Sequence, residues 1–247
     1  MPVKGRIHSV ETAGALDGPG MRYVLFMSGC PFRCKFCHNP DTWASGCAHE
    51  KSAGEVLEDV LKYEPFFKYT GGGVTASGGE PTLQAEFLLE LFKMLKGRGI
   101  HTALDTCGHC ALSRDVRELL DFTDLVMLDI KHLDPVLHGE LTGRDNSLVM
   151  AFLGLLERMG KRTWIRAVLV PGLTDSAGYA ARLAEFVSGF RCVEKTEILP
   201  YHDMGRAKWE AMGMRYPMGG AKPVSRAAAE AFRAEFERLG LNTSLQG

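Results

Sequence analysis

An apolar strand followed by an amphipathic helix recurs about six times along this sequence, and no long linker or low-complexity tract interrupts the series. The predicted strands cover residues 22–30, 73–81, 101–108, 124–132, 163–172 and 196–202. Consecutive units of this kind require a parallel sheet with right-handed crossovers. The sequence therefore predicts one α/β domain over residues 1–247, whose sheet is either an open doubly wound layer or a barrel.

Polar residues stand at the carboxyl ends of these predicted strands. They are Cys30, Glu80, Asp105, Asp129, Arg166 and His202. Barrel enzymes build their active sites from such strand ends. Six units are too few for a closed eightfold barrel, so we expect a partial, TIM-like (β/α)6 barrel with a wide mouth. Residues 1–20 and 203–247 would pack on this barrel, and the methionines and glycines of 203–222 indicate a long, adaptable loop.

Local signals mark the ends of several predicted helices. Ser52 and Glu55 form a capping box, and an apolar stripe follows them. A second apolar stripe continues at helical spacing from Phe87 to Leu95, before two glycines end that helix. The last predicted helix begins near Ser225.

The 29 Lys and Arg residues nearly balance the 30 Asp and Glu residues, which argues against a strongly basic surface for nucleic acid or anionic membranes. The sequence contains neither an apolar run of about 18 residues nor the pattern of a signal peptide. We therefore expect a cytoplasmic protein, in which the cysteines are reduced and metal or redox roles are favoured over structural disulfides. Their odd number also argues against a fully paired disulfide framework.

Three of the cysteines crowd into the stretch GCPFRCKFCHNP: Cys30, Cys34 and Cys37. Thiolates are soft ligands that suit zinc, copper(I) or iron–sulfur clusters. The spacing keeps three sulfurs on one short loop, within reach of three corners of a single 4Fe–4S cluster, and leaves one iron open for a substrate. A zinc site with His38 as its fourth ligand and three unligated core thiols are the alternatives.

The cysteine loop resembles the signature of radical S-adenosylmethionine (SAM) enzymes, and the resemblance extends from Asp17 to His202. The stretches that carry it are DGPGMR (17–22), CKFCHNPDTW (34–43), GGGVTASGGEP (71–81), LDTCG (104–108), DLVMLDIK (124–131), WIRAVLVPG (164–172) and ILPYH (198–202). Together they are similar to the activases of glycyl radical enzymes, and above all to those that act on pyruvate formate-lyase. Several other activases carry a cysteine-rich insert before SGGEP, whereas here Cys47 is the only cysteine between His38 and Ser77.

This resemblance implies a radical SAM oxidoreductase of anaerobic glucose metabolism, with one 4Fe–4S cluster held by Cys30, Cys34 and Cys37. The reduced cluster would cleave SAM, and the resulting 5′-deoxyadenosyl radical would take a hydrogen atom from a glycine of pyruvate formate-lyase. A flavodoxin or ferredoxin would donate the electron, and the chain would act as a monomer that binds neither nucleic acid nor a membrane. A different glycyl radical partner or a small-molecule substrate is the alternative.

The resemblance also assigns residues to SAM. They are Phe36, Gly78, Gly79, Glu80, Asp105, Asp129, Lys131, Arg166 and His202. Backbone can approach a ligand closely at the two glycines because they lack a Cβ, and Glu80 offers an acceptor for the SAM ammonium. Taken alone, the same residues have plainer interpretations: a strand-to-helix turn at SGGEP, a packing role for Phe36, an Asp–Lys ion pair at the strand ends, and a satisfied buried histidine at 202.

Two further sets of residues are implied by the resemblance alone. Asp105, Thr106, Met127 and Asp129 would form a site for a monovalent cation, Na+ or K+, beside the SAM carboxylate. With Met127 contributing its backbone carbonyl, the set offers oxygen ligands, which suit a hard cation. Asp17 and His38 would lie near the incoming glycine peptide of the protein substrate.

A second cysteine motif, CGHC, follows the third predicted strand. Its position between a strand and a helix matches a thioredoxin-like redox pair. Bystander thiols and a metal pair are the other interpretations of Cys107 and Cys110, and a bystander or local redox role is favoured over the metal pair. Cys47 and Cys192 stand alone and are expected to be unligated. A zinc or redox module built on the two cysteine motifs is therefore the non-enzymatic alternative.

Overall fold

The computed structural model describes residues 3–44, 46 and 48–246, so Cys47 lies outside the described residues. The chain divides into two compact units. The first unit comprises Met1–Pro31 and Thr42–Met127, and the second comprises Phe32–Asp41 and Leu128–Gly247. The prediction of one domain over residues 1–247 stays a prediction.

Among the described residues, the first unit contains five strands, and a sixth begins in it. The strands are β1 (Lys4–Gly14), β2 (Arg22–Met27), β3 (His49–Ser52), β4 (Gly73–Gly78), β5 (His101–Thr106) and β6 (Leu125–Asp129). The helices are α1 (Ala53–Leu61), α2 (Glu64–Thr70), α3 (Ala85–Gly97) and α4 (Arg114–Asp121). The strand order is β3-β1-β2-β4-β5-β6. Strand β1 runs antiparallel to β2 and β3, whereas β2, β4 and β5 pair in parallel.

In its described part, the second unit contains the end of β6 and the strands β7 (Thr163–Leu169), β8 (Val193–Pro200) and β9 (Thr243–Leu245), in the order β6-β7-β8-β9. Its helices are α5 (Pro135–Thr142), α6 (Ser147–Met159), α7 (Ala177–Ser188), α8 (Arg206–Ala211) and α9 (Arg226–Arg238). Both β7–β8 and β8–β9 are parallel pairs. The unit also includes most of the loop that carries Cys34 and Cys37.

Burial follows the patterns that the sequence predicted. Strands β2, β4 and β6 are buried along nearly their whole length, as expected of parallel strands covered on both faces. The capping box is confirmed, since Ser52 caps α1 and exchanges hydrogen bonds with Glu55. The apolar stripe from Phe87 to Leu95 is the buried face of α3. Ser225 caps α9 through a hydrogen bond from the Ala228 backbone.

Three features differ from the sequence-based expectation. Strands β1, β3 and β9 were not predicted, and β1 lies inside the segment 1–20 that was expected only to pack on the barrel. Arg166 is the fourth of the seven residues of β7 and does not stand at its carboxyl end, because the strand continues to Leu169. The predicted loop 203–222 contains helix α8.

No helix in the described part of the chain is both long enough and apolar enough to cross a membrane.

Candidate cluster and cofactor site

The SGGEP turn follows β4 in the first unit and is built from backbone contacts. Gly78 has φ +100°, a conformation that favours glycine. A Cβ on Gly79 would lie 2.2 Å from the Gly29 carbonyl oxygen, so only glycine allows this approach. The Glu80 backbone N–H donates to the same Gly29 oxygen at 2.7 Å. Because Gly29 directly precedes Cys30, this turn positions the beginning of the cysteine loop.

The Glu80 carboxylate is fully buried and braces this turn. Its Oε2 accepts from the Cys107 backbone N–H at 2.8 Å. Its Oε1 accepts from the Thr106 hydroxyl at 2.6 Å, from the Thr82 N–H at 3.0 Å and from the Thr82 hydroxyl. Glu80 therefore joins the residues after β4 to the end of β5. Acceptance of the SAM ammonium by the same carboxylate stays a prediction.

The CGHC cysteines lie beside this carboxylate. Both thiols are buried, and burial is the main cause that raises their pKa values, that of Cys110 to about 12. The Cys107 thiol also lies within hydrogen-bonding reach of the Cys30 side chain. A thioredoxin-like pair needs a cysteine with a lowered pKa, so the structure favours bystander thiols over a redox pair.

The buried Cys110 thiol should resist alkylation in the folded protein. With a pKa of about 12, its thiolate fraction at pH 8 is roughly a thousandfold below that of an ordinary cysteine, and the thiolate is the reactive form. Peptide mapping after iodoacetamide treatment should find Cys110 unmodified in native protein and modified in urea. Labelling of native Cys110 at the rate of a free thiol would show that the side chain is accessible and ionised.

Three of the predicted cation ligands lie in the first unit, two of them at the end of β5 and one, Met127, in the middle of β6. Asp105 accepts a hydrogen bond from the Ser77 hydroxyl at 2.6 Å. The Thr106 hydroxyl donates to Glu80 and accepts from a backbone N–H at 2.9 Å. Met127 is fully buried. The Thr106 hydroxyl thus already takes part in the hydrogen bonds around Glu80. A cation role for the four predicted ligands stays a prediction.

The Asp17–Gly20 turn lies at the other end of β2 from Cys30. The Thr75 hydroxyl donates to the Asp17 carbonyl at 2.7 Å, and Arg22 donates from Nε to that hydroxyl at 2.9 Å. The six residues of β2 separate the turn from the cysteine loop, a span of roughly 20 Å. The structure therefore does not bring Asp17 next to Cys30.

In the second unit, helix α5 anchors the remaining part of the cysteine loop. The backbone N–H groups of Arg33 and Lys35 donate to carbonyls at the end of α5, at 2.7 and 3.0 Å. The Cys37 N–H donates to the Cys34 carbonyl at 3.1 Å, which closes a tight turn between the two cysteines. Cys34 is buried and Cys37 is half-buried.

A lysine links two of the predicted SAM residues in this unit. The Lys131 Nζ lies 5.3 Å from the ring centroid of Phe36, which is buried. The same Nζ lies 2.8 Å from Asp129 Oδ2. The Asp–Lys ion pair, which was the plainer interpretation of these residues, is thus present. The SAM roles of Phe36, Asp129 and Lys131 stay predictions.

Two histidines of the predicted site stack on each other. The His38 and His202 rings have centroids 4.2 Å apart, and His38 Nε2 lies 3.2 Å from the His202 carbonyl oxygen. Burial, followed by the neighbouring His202, lowers the pKa of His38, so the ring is neutral at pH 7. The buried Nδ1 of His202 has no hydrogen-bond partner among the described residues. His202 is therefore not the fully satisfied histidine of the plainer interpretation.

Arg166 lies in the same unit, against an acidic neighbour. Its Nε is 3.7 Å from Oε2 of Glu197, which is almost fully buried and also pairs with Lys195 at 2.8 Å. Arg166 on β7 and Glu197 on β8 are paired in register, so this contact joins neighbouring strands and restrains the guanidinium.

Comparison with known proteins identifies the family. A family model described as Radical SAM superfamily matches residues 24–184. The pyruvate formate-lyase-activating enzyme of Listeria monocytogenes (serovar 1/2a) is 46% identical over 224 residues, which cover 88% of this chain and 90% of that protein. The chain belongs to the radical SAM superfamily, among the pyruvate formate-lyase-activating enzymes. The Staphylococcus epidermidis enzyme of the same name is also 46% identical, over 94% of this chain and 95% of its own length.

Solved structures agree with this radical SAM assignment. A crystal structure of a domain of pyruvate-formate lyase-activating enzyme from Bacteroides vulgatus matches 71% of this chain and 99% of that chain, with a TM-score of 0.60 and 26% identity. Streptococcus suis SuiB, bound to its precursor peptide SuiA, matches 94% of this chain and 50% of its own, with a TM-score of 0.69 and 21% identity, which shows the fold alone. The predicted fold class, an α/β radical SAM fold with a mostly parallel sheet, is confirmed.

The donor set of this radical SAM chain fits the family's 4Fe–4S cluster. The loop cysteines 30, 34 and 37 are thiols and not disulfides. In the described part of the chain, no three His, Cys, Asp or Glu side chains are grouped as ligands of a single metal ion. A cluster needs no such grouping, since its cysteines bind different irons. His38 stacks on His202 instead of joining the thiols in a zinc site.

Several side chains that position this site were missed by the sequence analysis. They are Ser77, Lys208 and Trp209. Arg22 and Thr75 were also missed, and they hold the Asp17–Gly20 turn at the other end of β2. Arg22 belongs to the DGPGMR stretch, so its place in a motif could have identified it. The other four act through partners that are distant in the sequence, and no local pattern indicates them.

Proposed function

We propose that this chain is the radical SAM activase of pyruvate formate-lyase. It reductively cleaves SAM and abstracts a hydrogen atom from one glycine of that enzyme, which leaves a glycyl radical. The observation that carries the proposal is 46% identity to enzymes of that name over 88–94% of the chain. The motifs from Asp17 to His202 support the same activity.

We assign the cluster to Cys30, Cys34 and Cys37. The SGGEP turn supports the assignment for Cys30, because it holds the preceding glycine through backbone contacts. The anchoring of Arg33 and Lys35 on α5 supports it for the other two thiols. When bound, the cluster supplies the electron for reductive cleavage, and its open iron is a site for SAM.

The residues around the cysteines orient SAM and exclude water. Backbone carbonyls at Gly78 and Gly79 accept from the ammonium, while Glu80 holds the turn that presents them. Phe36 is buried and offers a ring edge near the adenine. Arg166 and Lys131 offer cations for the carboxylate or ribose. The buried, unpartnered Nδ1 of His202 supports a hydrogen bond to the bound ligand.

The remaining assignments are part of the same proposal. Asp105, Thr106, Met127 and Asp129 hold a monovalent cation, which their oxygen atoms support. Asp17 and His38 contact the glycine peptide. Because burial lowers the pKa of His38, its neutral ring is suited to a hydrogen bond with peptide groups and not to an ion pair. A flavodoxin or ferredoxin supplies the electron, the chain acts as a monomer, and the cytoplasm keeps the thiols reduced.

Electron paramagnetic resonance (EPR) on the anaerobically reconstituted protein tests this function. Reduced protein with SAM and pyruvate formate-lyase should produce a glycyl radical doublet on the partner. The doublet should vanish in Cys34→Ala and persist in the matched control Cys192→Ala, which also removes a buried thiol. A cluster signal that responds to SAM without a partner radical would retain radical SAM chemistry and reject this partner. Bound zinc without a cluster signal would support the zinc-module alternative.

A further inference from the structure

A tryptophan from α8 is hydrogen-bonded to the backbone of a proposed cluster ligand. The Trp209 Nε1–H donates to the Cys37 carbonyl oxygen at 2.8 Å, across 172 positions of sequence. The indole is 5% exposed. A partly buried hydrogen bond of this kind restricts the peptide plane between Cys37 and the next residue, and with it the direction of the Cys37 side chain.

The neighbours of Trp209 hold the following residues of the same loop. The Lys208 Nζ donates to Asn39 Oδ1 at 2.9 Å and lies 3.0 Å from Asp41 Oδ2. Gly205 is buried against His38, and a Cβ on it would lie 2.9 Å from the His38 Cα and 3.0 Å from the Cys37 carbonyl oxygen. The stretch from Gly205 to Trp209 thus contacts loop residues 37, 38, 39 and 41.

The indole of Trp209 is itself held on its other side. Its ring packs edge-on against Tyr216, with centroids 5.7 Å apart. The Tyr216 hydroxyl lies 3.0 Å from that of Tyr201, which follows β8. Both tyrosines are buried. The donor is therefore preorganised: the ring cannot turn away from Cys37 without disturbing this pair.

We propose that Trp209 is a positioning residue for the cluster ligand Cys37, and that Lys208 reinforces it. The inference rests on the proposed function, since it takes Cys37 as a ligand. Partners that orient metal ligands typically contribute ten- to a hundredfold to metal affinity or activity. This role requires the indole N–H. Phenylalanine lacks that donor but places an aromatic ring in the same space.

The test compares Trp209→Phe with Trp164→Phe, a matched control that changes a half-buried indole on β7. Each protein is reconstituted anaerobically, and the release of iron to a chelator is followed by absorbance. We expect about tenfold faster release from Trp209→Phe and unchanged release from Trp164→Phe. The reduced EPR spectrum of Trp209→Phe should also change in shape and in its response to SAM, which a loss of packing alone would not cause.

Wild-type release and an unchanged spectrum in Trp209→Phe would overturn the inference. If that variant does not fold, Lys208→Met serves instead, since the Lys208 side chain is 43% exposed and its loss should be tolerated. A few-fold faster release would support the proposal, and no change would reject it. Failure of the wild-type chain to take up any cluster would instead contradict the proposed function, so the two failures are distinguishable.

Discussion

Replacing Glu80 with glutamine should lower the free energy of unfolding by about 2–4 kcal/mol, because hydrogen bonds to a buried charged group are among the strongest in proteins. The carboxylate accepts from Cys107, Thr106 and Thr82 in a site without solvent. A glutamine retains one acceptor oxygen. Its amide nitrogen would face one of these donors, which would then be left buried and unsatisfied.

Thermal unfolding measures this effect directly. A loss of this size should lower the melting temperature by roughly 5–15 °C in a chain of this length. The matched control is Glu58→Gln, an exposed position on α1 where the change should stay within about 0.5 kcal/mol. Equal melting temperatures for the two variants would show that Glu80 is not a structural brace. SAM binding, measured well below the melting temperature, would then separate a direct role toward the ligand from the structural one.

Replacing Arg22 with methionine should destabilise the protein by about 1–3 kcal/mol, as expected when buried hydrogen-bonding groups lose their partner. Arg22 is fully buried, and burial lowers its pKa to about 10, so it remains charged at pH 7. Its guanidinium contacts the Thr75 hydroxyl, the Val74 carbonyl and His101 Nδ1. Methionine fills part of the volume but leaves these groups without their partner.

Urea unfolding of Arg22→Met tests this expectation, with the exposed Arg98→Met as its control. Arg22→Lys should recover less than half of the loss, because an ammonium cannot reproduce the planar fork of a guanidinium. Thr75 connects Arg22 to the Asp17 carbonyl, so under the proposed role of Asp17 at the glycine peptide the KM for that peptide should rise more than kcat falls. A wild-type midpoint in Arg22→Met would contradict the assigned role.

Local signals predicted those parts of the fold that depend on a few consecutive residues. The Ser52 capping box, the apolar stripe of α3 and the cap at Ser225 all involve side chains within one or two helical turns. The six strands that carry motifs were also found. Strands β1, β3 and β9 were not predicted, because β1 and β9 are only partly buried and β3 has four residues, so their apolar patterns are weak.

The candidate site likewise has one part that the sequence predicts and another that it does not. The sequence by itself determined its chemistry: three thiols within eight positions specify a soft-ligand site, since ligand type and loop spacing are local properties. Only the tertiary structure decided what surrounds them. Glu80 meets Thr106 and Cys107 from 26 and 27 positions away, and Trp209 meets Cys37 from 172 positions away. Such contacts depend on which residues of distant strands and helices meet, and no local pattern in the sequence records those pairings.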